Sequence, residues 1–350
     1  MENNKMTPLQ RVFKTLSHQE PDQVPLFLNL TMHGAKELDM SIKKYFSSAK
    51  YVADGQIRMQ KKFKNDCVNN FFYAPVEIEA WGGEVIYVDN GPPNSGEPFI
   101  KSFNDIKSLK LPDVKTTPCL QKVFEATHII KEHVKDEIPI IGVAISPFSL
   151  PVMQMGFENY IQLMYEHPDL FNQLININKE FCINYANAQL NAGATAICYF
   201  DPVSSSTIIT REIYLKTGFK IASETISKIN GPTATHMASG RCISILDDIC
   251  KTGTGGIGVS TLESLSEIKA ICKGRISVLG NLNGIEMRRW DAAYAEKMVK
   301  SAIFDAAEGG GFIVSDNHGE IPWDVSDEVL FAVSDAVQKW GKYPIIKNLQ

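Results

Sequence analysis

Short apolar runs alternate with longer amphipathic stretches along almost the whole chain. The runs fall at Val24–Leu30, Val68–Tyr73, Ile138–Ile145, Ala196–Asp201, Pro232–Ala238, Gly256–Ser260, Ile276–Leu282 and Phe312–Ser315. Most are rich in β-branched residues and all are too short for a stable helix, so each reads as a strand. Between them, apolar residues recur at helical spacing near Ala49–Phe63, Cys119–Glu132, Phe157–Ala192, Arg211–Ile229, Ile243–Cys250, Leu262–Cys272 and Ala292–Glu308. Alternation of this kind predicts parallel strands joined by right-handed crossovers. Eight such units predict an α/β fold of the (β/α)8 TIM-barrel type. Residues 74–117 break the rhythm, because Glu84–Asp89 alternates like an exposed hairpin strand and Gly91–Pro98 is rich in turn formers. The expectation is a single barrel domain over residues 1–350, with this hairpin and loop region inserted after the second strand, over one mouth.

Composition narrows the function classes. The 350 residues are 44% hydrophobic and 21% charged, with a formal net charge of −5 and no basic cluster. Nucleic-acid binding, which needs concentrated lysine and arginine, is therefore not expected. No apolar stretch approaches the roughly 20 residues of a membrane span, and the polar start Met1–Leu16 lacks a signal-peptide core. The seven cysteines (67, 119, 182, 198, 242, 250 and 272) are scattered, with no Cys-x-x-Cys pair. A reduced, cytoplasmic protein is the expectation.

Chemistry is expected at the carboxyl ends of the strands, where barrels assemble their sites. Those ends carry His33; Tyr73 with Glu77 and Glu79; Ser146; Asp201; His236; Ser260 with Glu263; Asn281 with Asn283; and Asp316 with His318. His236 and His318 are the sharpest pair, since imidazoles on two strands aimed into one mouth suit a metal or direct catalysis. Taken singly, each reads rather as a hydrogen-bonded histidine in a polar pocket, and it is the pairing on one face that favours the chemistry. Glu263 is a candidate third ligand, or a first-turn glutamate favoured by the helix dipole. Asp201 either positions substrate or caps the Ser204–Ser206 loop. Glu77 and Glu79, separated by one residue, share a face if extended. His33, Tyr73, Asn281 and Asp316 are candidate substrate contacts, and Phe72, Tyr73, Trp81 and Trp323 could wall an aromatic pocket. The glycine run Gly309–Gly311 ends a helix and reads as a C-cap rather than a phosphate cradle.

Several segments, taken in order, resemble the uroporphyrinogen decarboxylase superfamily, and within it the cobalamin-dependent methyltransferase branch. They are Thr7-Pro-Leu-Gln-Arg-Val-Phe13 with Glu20-Pro-Asp-Gln-Val-Pro25, Val76-Glu-Ile-Glu-Ala-Trp-Gly82, Ala192-Gly-Ala-Thr-Ala-Ile197 with Asp201-Pro202, Leu279-Gly-Asn-Leu282, and His318-Gly-Glu-Ile-Pro322. The decarboxylases carry Arg-Gln-Ala-Gly-Arg-Tyr after the first strand, to hold carboxylates. Here that place reads Leu28-Asn-Leu-Thr-Met-His-Gly34, and Tyr73 stands where they have a catalytic aspartate. The resemblance therefore points to the methyltransferases, which bind zinc through a His-x-Cys pair and a distant cysteine. His236 matches their histidine, whereas Ala238 and His318 stand at the cysteine positions. It implies a zinc site of His236, Glu263 and His318, with no sulfur ligand to blunt the ion's acidity. Such a site suits polarising a methoxy oxygen. The implied reaction moves methyl from a small methylated substrate to the cob(I)alamin of a separate corrinoid protein. His236, His318, Asp201 and the acid Glu79 are its candidate catalytic residues. Transfer from a methylated corrinoid protein to a thiol or pterin is the alternative direction, and a non-catalytic binding protein the alternative class.

Overall fold

Phe312–Asp316 is buried at every position, so its strand is covered on both faces. The computed structural model, which describes residues 6–317 and 319–347, shows this arrangement built from all eight expected runs. In chain order the strands are β1 (Leu26–Phe27), β2 (Val68–Asn69), β3 (Val85–Ile86), β4 (Asn94–Ser95), β5 (Ile140–Ile145), β6 (Ala196–Phe200), β7 (Thr233–His236), β8 (Gly256–Gly258), β9 (Ser277–Leu282) and β10 (Phe312–Asp316). Eight of them form one parallel sheet in the order β1-β10-β9-β8-β7-β6-β5-β2, with helices outside, as a (β/α)8 barrel. The two remaining strands, β3 and β4, pair antiparallel as the expected hairpin.

The ladder begins at β1 and ends at β2, and these two strands are joined largely by side chains. Asp66 accepts the Leu26 N–H at 2.9 Å, while its own N–H donates to the Leu26 carbonyl at 2.7 Å. Asn65 accepts the Leu28 N–H at 3.1 Å, and the Asn69 amide donates to Asn29 Oδ1 at 3.0 Å. Here β1 and β2 are shorter than expected from sequence, because Asn65, Asp66 and Asn69 replace ladder bonds with side-chain bonds. Asn70, read as part of the second strand, instead donates to Gln189 Oε1 at 2.8 Å.

Helix boundaries follow the local chemistry. Ala49–Phe63 is helical as expected. The long stretch Phe157–Ala192 divides into Phe157–Glu166 and Pro168–Asn191, because Pro168 has no N–H to donate and keeps His167 out of the helical region. The helix Pro8–Leu16 opens on a Thr7 capping box with Gln10 and a proline in its first turn. Arg11 on this helix reaches Asp66 at the β1–β2 seam. Among the described residues no helix is long and apolar enough to cross a membrane.

Candidate active site

Side chains along a strand alternate between the bore and the surrounding helices. β6 turns Cys198 and Phe200 inward, and β7 turns Ala234 and His236 inward, so these four line a cavity of about 340 Å³ inside the barrel. The register puts Phe200, His236 and Gly258 at one level across β6, β7 and β8. Phe200 and His236 have ring centroids 5.7 Å apart. Gly258 clears room for the imidazole, since a Cβ there would stand 2.5 Å from His236 Cδ2. Asn29, Asn69, Phe72, Ser315 and Glu320 also border the cavity, as do Pro92, Pro93 and Asn94 of the hairpin.

The orientation of His236 is set by its own loop. The chain turns back at Ala238, which has φ 50°, and the Ala238 N–H donates to His236 Nδ1 at 3.0 Å. A neutral ring whose Nδ1 accepts a hydrogen bond carries its proton on Nε2, and so presents a donor there rather than a lone pair. Glu263, the expected third metal ligand, is bonded to backbone N–H groups. Its two oxygens accept the Cys242 and Ile243 N–H groups at 2.7 and 2.9 Å, capping the turn that follows β7. Ala238 has no ligating atom, and His318 lies outside the described residues. No cluster of three or more histidine, cysteine, aspartate or glutamate side chains among the described residues is arranged to hold a metal. The described donor set does not fit zinc.

Glu320 is the carboxyl group at the cavity wall. Thr31 donates its hydroxyl to Glu320 Oε2. Burial, aided by the charge of Asp316 and opposed by the Thr31 bond, pushes Glu320 up to about 7.

The other expected site residues are held elsewhere. Asp201 follows Phe200 and so turns outward, where it accepts the Ser146 and Ser149 hydroxyls at 2.5 and 2.7 Å. Burial raises its carboxyl, although the serine hydroxyls oppose this. The Ser146 and Ser149 bonds tie Asp201 to the turn after β5 rather than to the Ser204–Ser206 loop. Glu77 and Glu79 are not on an extended segment, because Val76–Ala80 is helical. Two residues apart on a helix they diverge. Glu77 turns inward to accept the Ile145 N–H at 2.7 Å, and Glu79 accepts the Tyr73 hydroxyl. Tyr73 packs on Phe46, Phe71 and Tyr87. His33 is buried and donates from Nε2 to the Pro322 carbonyl at 3.2 Å. Burial and Lys36 push it down to about 3, so it is neutral. Asn281 donates to the Ser260 carbonyl at 3.1 Å, and Asp316 accepts the Asn29 N–H at 2.9 Å. None of these seven borders the cavity; among the described candidates His236 does, as does Phe72 of the expected aromatic wall.

Glu77 gives the fold a pH dependence. Burial, against the Ile145 bond, pushes its carboxyl up to about 8. The unfolded chain loses this proton near the ordinary glutamate value, whereas the fold keeps it until about pH 8. Stability is therefore full below the unfolded value and falls as pH rises toward 8. Glu77→Gln should flatten this slope, gaining on the order of a few kcal/mol over wild type between about pH 5 and about pH 8. Urea unfolding at both pH values checks it, and parallel curves for the two proteins would contradict it.

Residues 7–340 match the family model described as uroporphyrinogen decarboxylase (URO-D). The chain is 27% identical over 261 residues to the uroporphyrinogen decarboxylase of Mannheimia succiniciproducens, covering 69% of this chain and 70% of that one. It is 30% identical over 162 residues to the methylcobamide:CoM methyltransferase MtaA of Methanosarcina barkeri, covering 46% of this chain and 48% of that one. In fold it superposes on a methyltransferase from Methanosarcina mazei with a TM-score of 0.85 and 22% identity, covering 95% of this chain and 99% of that one.

Proposed function

Because the chain belongs to the uroporphyrinogen decarboxylase family, whose similar members include both a decarboxylase and a methyltransferase, we propose that it is a corrinoid-dependent methyltransferase. It takes a methyl group from a small methoxy-type substrate and passes it to a corrinoid carried by a separate protein. The observation that carries this reading over decarboxylation is the charge of the cavity. Its described lining contains no lysine or arginine, and a porphyrinogen is a polycarboxylate that would need several.

When present at the mouth, the corrinoid supplies the nucleophile that accepts the methyl group. The methyl–oxygen bond breaks, and its electron pair stays on the oxygen. Charge growing on that oxygen is what the site must stabilise. With Nδ1 occupied by the Ala238 N–H, Nε2 of His236 is the ring nitrogen that faces the cavity as a donor toward that oxygen. Glu320, held by Thr31, offers a second polar group to the same space. Phe200 and Phe72 keep water from the reacting bond and strengthen both contacts. Transfer to a thiol is disfavoured, since the zinc that would activate it does not fit the described donors. Purified protein should leave uroporphyrinogen unchanged while accelerating the methylation of cob(I)alamin by small methyl ethers. Loss of carboxyl groups from uroporphyrinogen at a rate above any corrinoid reaction would reverse the assignment.

A further inference from the structure

A TIM barrel normally fills its bore with layers of bulky branched side chains. In this one the layer beneath His236 is mostly small. Val143, Cys198, Ala234 and Gly256 lie in register across β5, β6, β7 and β8, and Ala196 pairs with Ile141 one step lower. Four of these six side chains are alanine, cysteine or glycine, which is why the cavity continues from the mouth into the bore. Its lower walls are Ile141, Val143, Ala196, Cys198, Ala234 and Leu279. Burial pushes the Cys198 thiol up to about 12, so this cysteine stays an uncharged wall. The histidine and the glutamate of the lining, His236 and Glu320, both stand at the upper end, at or beyond the carboxyl ends of β7 and β10.

Resting on the methyl-transfer reading, we propose that this chamber holds the apolar body of the substrate, and that the substrate class is a neutral aryl methyl ether. The chemistry follows from the two ends of the space. An uncharged, hydrocarbon-lined chamber rejects an ammonium or a carboxylate, which would lose its hydration with no partner in return. It attracts a ring, and a dry apolar cavity of about 150 Å³ already accommodates benzene. With the ring below, the ether oxygen reaches the level of the His236 Nε2–H, and the methyl group faces out of the mouth, where its acceptor must arrive. Methanol would leave the chamber unfilled.

Binding without any corrinoid separates this proposal from the transfer reaction. Methoxybenzene, tetramethylammonium and methanol are titrated calorimetrically into the wild-type protein, Ala234→Leu and Ala196→Leu. Methoxybenzene should bind wild type at least tenfold more tightly than either of the others, and each leucine should weaken it at least tenfold. Folding of the variants is checked by circular dichroism. If a variant does not fold, nuclear Overhauser contacts between the methoxybenzene ring and labelled alanine methyls in wild type decide the matter. Tighter binding of tetramethylammonium, no binding of methoxybenzene, leucine variants that bind it as well as wild type, or ring contacts absent from the Ala196 and Ala234 methyls would each overturn the chamber. Methyl transfer from some other donor would in that case leave the enzymatic reading standing.

Discussion

Gly258→Ala is expected to lower kcat on the order of 10²-fold while leaving the barrel folded. The added Cβ would sit 2.5 Å from His236 Cδ2 and 3.0 Å from both Cγ and Nε2, so all three of its closest contacts belong to that one ring. The backbone of β8 has no need to move, and the imidazole must. Moving it breaks the Ala238 bond that fixes the tautomer, and takes the Nε2–H donor away from the reacting oxygen. His236→Ala should cost about 10²–10³-fold, the usual loss when one preorganised donor is removed from a site of developing charge. If both substitutions act on the same ring, the double variant should be little worse than His236→Ala alone. Steady-state rates for the four proteins, with far-UV circular dichroism as the folding control, complete the cycle. Additive losses would mean that Gly258 acts on something other than His236.

Arg11→Met is expected to destabilise the fold by about 3–5 kcal/mol, the range for removing one partner from a buried charge pair. Arg11 and Asp66 are only 4% and 2% exposed. The guanidinium holds Asp66 with one nitrogen and grips Asp22 with two others, at 2.7 and 2.8 Å. Asp66 in turn accepts the Leu26 N–H at the β1–β2 seam. Without the arginine, a carboxylate remains buried where the barrel closes, and the terminal helix loses its hold on it. Pairing the change with Asp66→Asn should recover part of the loss, because the amide can still accept from Leu26 without carrying a charge. Urea denaturation of the three variants measures both effects, and a cost below about 1 kcal/mol for Arg11→Met would place the pair in the class of surface ion pairs.

The barrel was legible because its strands are apolar on both faces, and that pattern survives almost any error in their ends. Where the reading of elements failed, a polar side chain had taken over a backbone duty, as Asn65, Asp66 and Asn69 do at the seam, or Pro168 had divided a helix. The site was harder to read, for a reason that Asp201 makes plain. A residue at a strand end faces the bore or the helices according to a one-residue register, and Phe200 had already taken the inward position. Glu77 and Glu79 were misjudged because a segment of five residues carries too little periodicity to separate strand from helix. His236 borders the cavity since β7 aims it inward, and Ala234, two residues before it, faces the same way. Gly258 and Ala196 gave no signal, because their contribution is the space they leave. Glu320 stood inside the His318–Pro322 motif that carried the family resemblance, but its contact with Thr31 joins positions 289 residues apart.

The measurement closest to the heart of this account is a single turnover with isotopically labelled methoxy donors and cob(I)alamin, followed by NMR. Label leaving the oxygen and moving to the corrinoid, with one demethylated product formed per methyl transferred and the reaction slowed in His236→Ala, is the expected result. A corrinoid left unlabelled by every donor, or labelled equally fast by His236→Ala, would contradict it.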